Sequence, residues 1–132
     1  SWSDGYGLFL EGESDLVLSY TTSPAYHSLV EGSSQYKSLK FEEGHASQIE
    51  VMGILNNASN YDLAKSFLEF SLTDGFQQYI PQGNWMYPVL NLKESQKEFY
   101  EAAPLPVSLD QVFPSREEKD SWIASWEKSI IE

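Results

Sequence analysis

The chain has 132 residues and a formal net charge of −12, from 20 acidic and 8 basic side chains. Hydrophobic residues make up 41% and aromatic residues 14%, the composition of about one globular domain rather than a disordered segment. The acidity argues against nucleic acid and an anionic membrane surface, is compatible with a cationic ligand, and with no cysteine there are no disulfides, thiolate catalysis or cysteine zinc sites. The chain opens at Ser1-Trp2 without an initiator methionine or a recognisable signal peptide, so a processed or trimmed product is expected. Residues 2–10 read as the end of a helix, with Leu8, Phe9 and Leu10 apolar and Gly12 as its stop. Residues 15–20 follow as a short strand, its run Leu16, Val17, Leu18 of the kind buried in an α/β sheet. Thr21, Thr22 and Ser23 then offer three hydroxyls, and Pro24 suits the first turn of a helix to Val30 with Ser23 as cap. A strand end opening on a helix N-terminus is where α/β proteins place ligands, although every such domain has several of these junctions.

Residues 31–34 read as a loop. Residues 36–41 read as a strand of poor alternation, and residues 46–55, with Ile49, Val51, Met52, Ile54 and Leu55, as another. Asn60 caps a predicted helix over 61–72 whose Leu63, Ala64, Phe67 and Leu68 suit packing on a sheet. A short helix starts at Thr73-Asp74, with Phe76, Tyr79 and Ile80 on one side. Residues 81–88 are expected to break it, since two prolines and a glycine oppose regular structure. Trp85, Met86 and Tyr87 in that loop need a dry surface, either a core edge or a ligand wall. Residues 104–114 read as extended. The last helix opens with a capping box, Ser115 and Glu118, and carries Trp122, Ile123, Trp126 and Ile130 as an expected core stripe. Strands mixed with helices point to α/β, and there is no internal repeat or membrane-length apolar run.

The chemistry is defined first by what is missing. His27 and His45 are the only histidines and neither has a second ligand at metal spacing, so no metal site is expected. There is no Gly-x-Ser-x-Gly elbow and no phosphate-binding glycine loop. Asn57-Ala58-Ser59 matches a glycosylation sequon that would matter only in a secreted eukaryotic protein. A carboxylate pair for glycoside hydrolysis stays open among 20 acids, with nothing to single one out. What remains is an aromatic constellation at element ends and loops: Trp2, Tyr20, Tyr26, Trp85 and Tyr87. Flat Trp and Tyr walls suit a planar, cationic heteroaromatic, which gains about 0.5–2 kcal/mol over a Trp face. Hydroxyls at Tyr20, Thr21, Thr22 and Ser23, beside a helix N-terminus, would suit phosphate or hydroxyl groups of the same ligand.

Asp15-Leu-Val-Leu-Ser-Tyr-Thr-Thr-Ser-Pro-Ala-Tyr-His27 resembles the periplasmic thiamine-binding proteins of bacterial thiamine ABC transporters. Ile80-Pro-Gln-Gly-Asn-Trp-Met-Tyr-Pro-Val89 is similar to that family's late binding loop, and Glu43-Gly-His45 and the region of Trp122 and Trp126 also fit. The resemblance implies part of a two-lobed, periplasmic-binding-protein-like (type II) α/β fold, with the ligand in the cleft between lobes. It implies a non-enzymatic protein in the periplasm of a Gram-negative bacterium. Thiamine, thiamine monophosphate or thiamine diphosphate would be the transported ligand, and a membrane permease the partner. The implied ligand-binding residues are Trp2, Tyr20, Tyr26 and Trp85, with Thr21, Thr22, Ser23, Asn84 and Tyr87 as further candidates. Trp85 and Tyr26 would pack on the ring, while Trp2 and Tyr20 would lie nearer the phosphate or hydroxyethyl end. By the same resemblance residues 1–25 and 81–132 belong to a second lobe and 26–80 to a first, with an N-terminal part missing. Unpaired strand edges would then favour self-association or retention of the other half. Two alternatives stay open: a ferric-ion or anion binder of the same superfamily, although Tyr20 and Tyr26 are not adjacent, and a carboxylate-dependent hydrolase.

Overall fold

In a computed structural model, which describes residues 1–108 and 114–131, the chain folds into helices joined by extended segments. Helix α1 is Trp2–Leu10 and α2 is Ser23–Val30. Helices α3 (Tyr61–Ser71), α4 (Asp74–Gln77) and α5 (Ile80–Gly83) follow in close succession. Helices α6 (Lys97–Ala102) and α7 (Arg116–Ile131) complete the described residues.

Local chemistry explains most helix ends. Helix α1 is a whole helix rather than the tail of one: the Ser1 hydroxyl accepts from the Asp4 N–H, and the Asp4 carboxylate returns the bond to Ser1, a capping box. It ends in a Schellman motif, with Glu13 N donating to Leu8 O, Gly12 N to Phe9 O, and Gly12 at φ 81°. Asn60 caps α3 as expected, its Oδ1 accepting from Leu63 N at 3.2 Å. The expected box at α7 is formed as well, with Ser115 N donating to Glu118 Oε2 at 2.8 Å and Glu118 N to Ser115 Oγ at 3.2 Å. These bonds hold the Glu118 carboxyl below its ordinary pKa.

Two helix expectations need correction. The cap of α2 is Thr22, not Ser23, and its side chain makes no capping bond; Ser23 is the first helical residue and its hydroxyl meets that of Ser19 at 2.7 Å. Residues 81–83 are helical, not loop: Pro81 sits in the first turn of α5, where its missing N–H would have had no partner anyway.

The larger correction concerns the strands. Residues 15–20, 36–41 and 46–55 run extended, but among the described residues no strand forms. Among the described residues the backbone pairing seen is one parallel bridge, His45 to Ser108, with His45 N donating to Val107 O at 2.8 Å. A strand exists only when a second segment satisfies its backbone N–H and C=O groups in a ladder, and among the described residues no such ladder forms along these segments. Their apolar side chains are correspondingly bare, Leu18 at 89% and Val51 at 87% exposure. The helical half of the expected α/β composition is therefore present, and its strands are not formed among the described residues. Of the expected extended stretch 104–114, residues 104–107 are free of helix and Ser108 makes the bridge, and residues 109–113 lie outside the described residues.

The core is small. Ala25 of α2 and Phe99 of α6 meet with Ala103, and Leu29, Trp85, Tyr87, Tyr100 and Ala102 pack around them. Small residues at the α2–α6 crossing let the helices approach closely. The molecule exposes 10792 Å². A compact protein of 15.0 kDa would expose roughly 7,000 Å². Exposed apolar side chains stand on the extended segments, on α1, on α3, with Leu63 and Phe67 of the stripe expected to pack on a sheet, and on α7, whose expected core stripe Trp122, Ile123, Trp126 and Ile130 is exposed.

Candidate functional site

The turn from Tyr20 into α2 is closed by Ser23 N donating to Tyr20 O at 3.0 Å, with Tyr20 before the helix and Tyr26 within it. Tyr26 is 40% exposed and meets Trp85 edge to face, with ring centroids 5.2 Å apart and planes at 85°. Two rings in that arrangement form a corner rather than a parallel slot, and a flat ligand would lie on one of them with the other as its border.

Trp85 is positioned from below and from the side. It packs on the Ala25–Phe99–Ala103 core. The segment that follows is tied down by buried Gln77, whose Oε1 accepts from Val89 N at 2.9 Å while its Nε2 donates to Ser71 O at 2.8 Å. Trp85 itself has φ 54°, the left-handed region that a bulky residue rarely occupies. Beside it, Asn84 is exposed and donates to Glu50 Oε2 at 3.2 Å and to the Met86 sulfur at 3.1 Å. Tyr87 turns into the core against Phe99 and Tyr100. Burial raises the Tyr87 phenol above its ordinary pKa, the Thr21 hydroxyl opposes that rise, and Tyr100 adds to it. The Thr21 hydroxyl lies 3.5 Å from that of Tyr87, at the outer limit of a hydrogen bond.

Trp2 lies on α1. It stacks on Tyr6 with centroids 4.9 Å apart, and its indole N–H donates to Leu18 O at 3.0 Å, which pins the extended segment to the helix. That N–H is thus engaged with backbone. Tyr20 is exposed, Thr22 is buried at the head of α2, and Ser23 faces Ser19.

Three residues that sequence reasoning did not single out for this site link its parts. His27 is 2% exposed. Its Nδ1 lies 2.6 Å from Glu31 Oε2 and its Nε2 lies 2.7 Å from the Tyr6 hydroxyl. The Tyr6 and His27 rings are parallel within 7°, and His27 meets Tyr26 edge-on at 5.6 Å. The readable signal was the spacing of His27 and Glu31, four apart on one helix face; Tyr6 lies on another helix and could only be found in three dimensions.

The site is an open face. Among the described residues, a shallow hollow of about 240 Å³ lies against Phe70, Phe76, Tyr79 and Ile80 and reaches Asn84 at its edge, and another of about 280 Å³ lies against Ser28, Tyr36, Lys37 and Lys40. Neither includes Tyr26 or Trp85. Among the described residues no three His, Cys, Asp or Glu side chains gather to hold a metal ion.

No protein-family model matches the chain. Individual proteins do. It is 43% identical over 131 residues to the thiamine-binding periplasmic protein of Escherichia coli, covering 98% of this chain and 39% of that protein. It is 36% identical over 138 residues to the thiamine-binding periplasmic protein of Haemophilus influenzae, covering 98% of this chain and 39% of that one. A solved structure of a periplasmic thiamin binding protein superposes with a TM-score of 0.81 at 43% identity, covering 98% of this chain and 41% of that chain. The fold is accordingly that of a stretch of a periplasmic-binding-protein-like molecule. The chain is a homologue of the periplasmic thiamine-binding proteins and spans about 39% of the length of the relatives it matches.

Proposed function

We infer that this chain is the C-terminal portion of a periplasmic substrate-binding protein that captures thiamine or its phosphate esters and hands them to the membrane permease of an ABC transporter. The observation that carries this reading is the likeness over 98% of the chain, in sequence and in backbone, to proteins of that name. The corner of Tyr26 and Trp85 supports it: a cationic thiazolium gains from an aromatic face, and the net charge of −12 favours a cation over the whole surface. The exposed Tyr20 and the Thr21 hydroxyl would serve the phosphate or hydroxyethyl end, with Trp2 offering its ring, while Thr22, buried, and Ser23, bonded to Ser19, would reach it only after rearrangement. Asn84 and Tyr87 would border the ring. The reading is one of binding and delivery, without catalysis.

The open face fits one side of a cleft whose other side comes from outside this chain. In that arrangement α2 and α6, which share one core through Ala25, Leu29 and Phe99, stand on the same side of the cleft, and the extended segments become strands of type II α/β sheets completed elsewhere. Calorimetric titration of the full-length protein with thiamine is expected to show saturable binding that Trp85→Ala weakens by about tenfold or more. Unchanged affinity in a folded Trp85→Ala protein would remove Trp85 as a wall, and no binding by the unaltered protein would remove the reading.

A further inference from the structure

We propose that His27 is a positioning residue that sets Trp2 in register with Tyr26 and Trp85 by tying α1 to α2. Its role as part of a thiamine site rests on the function proposed above; its effect on the placement of Trp2 does not.

The argument begins with the directions of two hydrogen bonds. The Glu31 carboxylate accepts, so the 2.6 Å contact places the proton of His27 on Nδ1. In a neutral ring Nε2 is then an acceptor, and it takes the Tyr6 O–H at 2.7 Å. Burial raises the Tyr6 phenol above its ordinary pKa, so that hydroxyl keeps its proton and stays a donor at neutral pH. The relay Tyr6 to His27 to Glu31 therefore has one consistent direction, from α1 into α2.

The ring geometry shows what the relay holds. Trp2 stacks on Tyr6 at 4.9 Å, Tyr6 lies parallel to His27, His27 meets Tyr26 edge-on, and Tyr26 meets Trp85 at 5.2 Å. The candidate wall residues from α1, α2 and the loop after α5 are thus joined ring to ring, and His27 is the middle member. Tyr36 packs on His27 at 4.3 Å and on Phe9 at 5.5 Å, closing the far side. The opposite face of α2 is occupied by the Ala25 and Leu29 contacts with α6, roughly half a turn away from His27. Between α1 and α2 the relay is a directional tie; the Trp2 N–H bond to Leu18 O fixes the indole against the segment before α2, and the relay fixes the tilt of α1 against α2 itself. A buried imidazole bonded through both nitrogens is also far more than a helix–helix crossing needs for packing.

The test uses the full-length protein labelled with 5-fluorotryptophan, its fluorine signals assigned by single Trp→Phe changes. Tyr6→Phe keeps the ring and removes the hydroxyl. The Trp2 signal is expected to move while those of Trp122 and Trp126 stay, and thiamine affinity is expected to fall by about threefold or more. Two changes at His27 separate positioning from bulk. His27→Gln carries an amide that can reach Tyr6 as Nε2 does, and is expected to keep the Trp2 signal and the affinity near those of the parent. His27→Asn imitates Nδ1 only, and is expected to behave like Tyr6→Phe. If the Trp2 signal stays in place in Tyr6→Phe, or if Gln and Asn at position 27 act alike, the positioning role is overturned. If the signal moves as expected while thiamine affinity holds, Trp2 is positioned but is no part of the thiamine site. A parent protein that fails to bind thiamine overturns the proposed function instead, and the fluorine signals still decide the role of His27.

Discussion

Helices α2 and α7 carry the same kind of message and meet opposite fates. Each has an apolar stripe at helical spacing. In α2 the stripe is buried: Ala25 is fully covered by Phe99 and Ala103, and the other face closes over His27. In α7 the stripe is bare, with Trp122 at 59% and Trp126 at 64% exposure. Periodicity tells which face of a helix wants to be covered, and it says nothing of whether the covering surface lies within the same chain. Here α2 has its partner far along the chain, in α6, while the stripe of α7 has no cover among the described residues.

The contrast can be put to measurement. The largest expected effect is at Phe99. In the 132-residue chain Phe99→Ala should cost about 3–5 kcal/mol in denaturant unfolding, much of what a domain of this size has to lose. A loss near that of a surface change would mean that the α2–α6 core does not hold the chain together. Next comes association. With so much apolar surface uncovered, the isolated chain is expected to self-associate in light scattering, and the pair Trp122→Ala and Trp126→Ala to shift it toward monomer. A stable monomer in the parent chain would count against the exposed stripe being sticky. Each of those two Trp changes should alter the unfolding of the monomer by less than about 0.5 kcal/mol, unlike Phe99. The smallest effect concerns Glu118. Its folded pKa is depressed below the ordinary value of 4.5 by the Ser115 N–H and hydroxyl. A depressed acid contributes its stability above the unfolded pKa and loses it as pH falls through the folded one. The first turn of α7 should therefore fray on acidification below about pH 4.5, seen as a small loss of helical circular dichroism that Glu118→Gln abolishes.

The same contrast explains what could be read from the residues alone. Asn60, the Ser115–Glu118 box and Gly12 act within a few residues of themselves, and each does what its chemistry predicts. Thr22 took the cap expected of Ser23, a shift of one position that side-chain identity cannot resolve where three hydroxyls stand in a row. The strands at 15–20, 36–41 and 46–55 failed for a different reason: a ladder is made by two segments, and one segment carries only half of its specification. The site divides in the same way. Tyr26 and Trp85 were named from their positions at element ends, and the fold brings them into contact. The Tyr6–His27–Glu31 relay was passed over, since a lone buried histidine says nothing until its second partner comes across from another helix.

Trp85 sits at φ 54°, where glycine rests comfortably and a β-carbon costs about 1–3 kcal/mol. Nothing in the backbone of the turn requires an indole, and what holds one there is the ring's packing on the Ala25–Phe99–Ala103 core and its edge contact with Tyr26. A Trp85→Gly protein would shed the backbone tension and lose the ring, and a homologue in which that exchange had been accepted would have stopped needing whatever the indole holds.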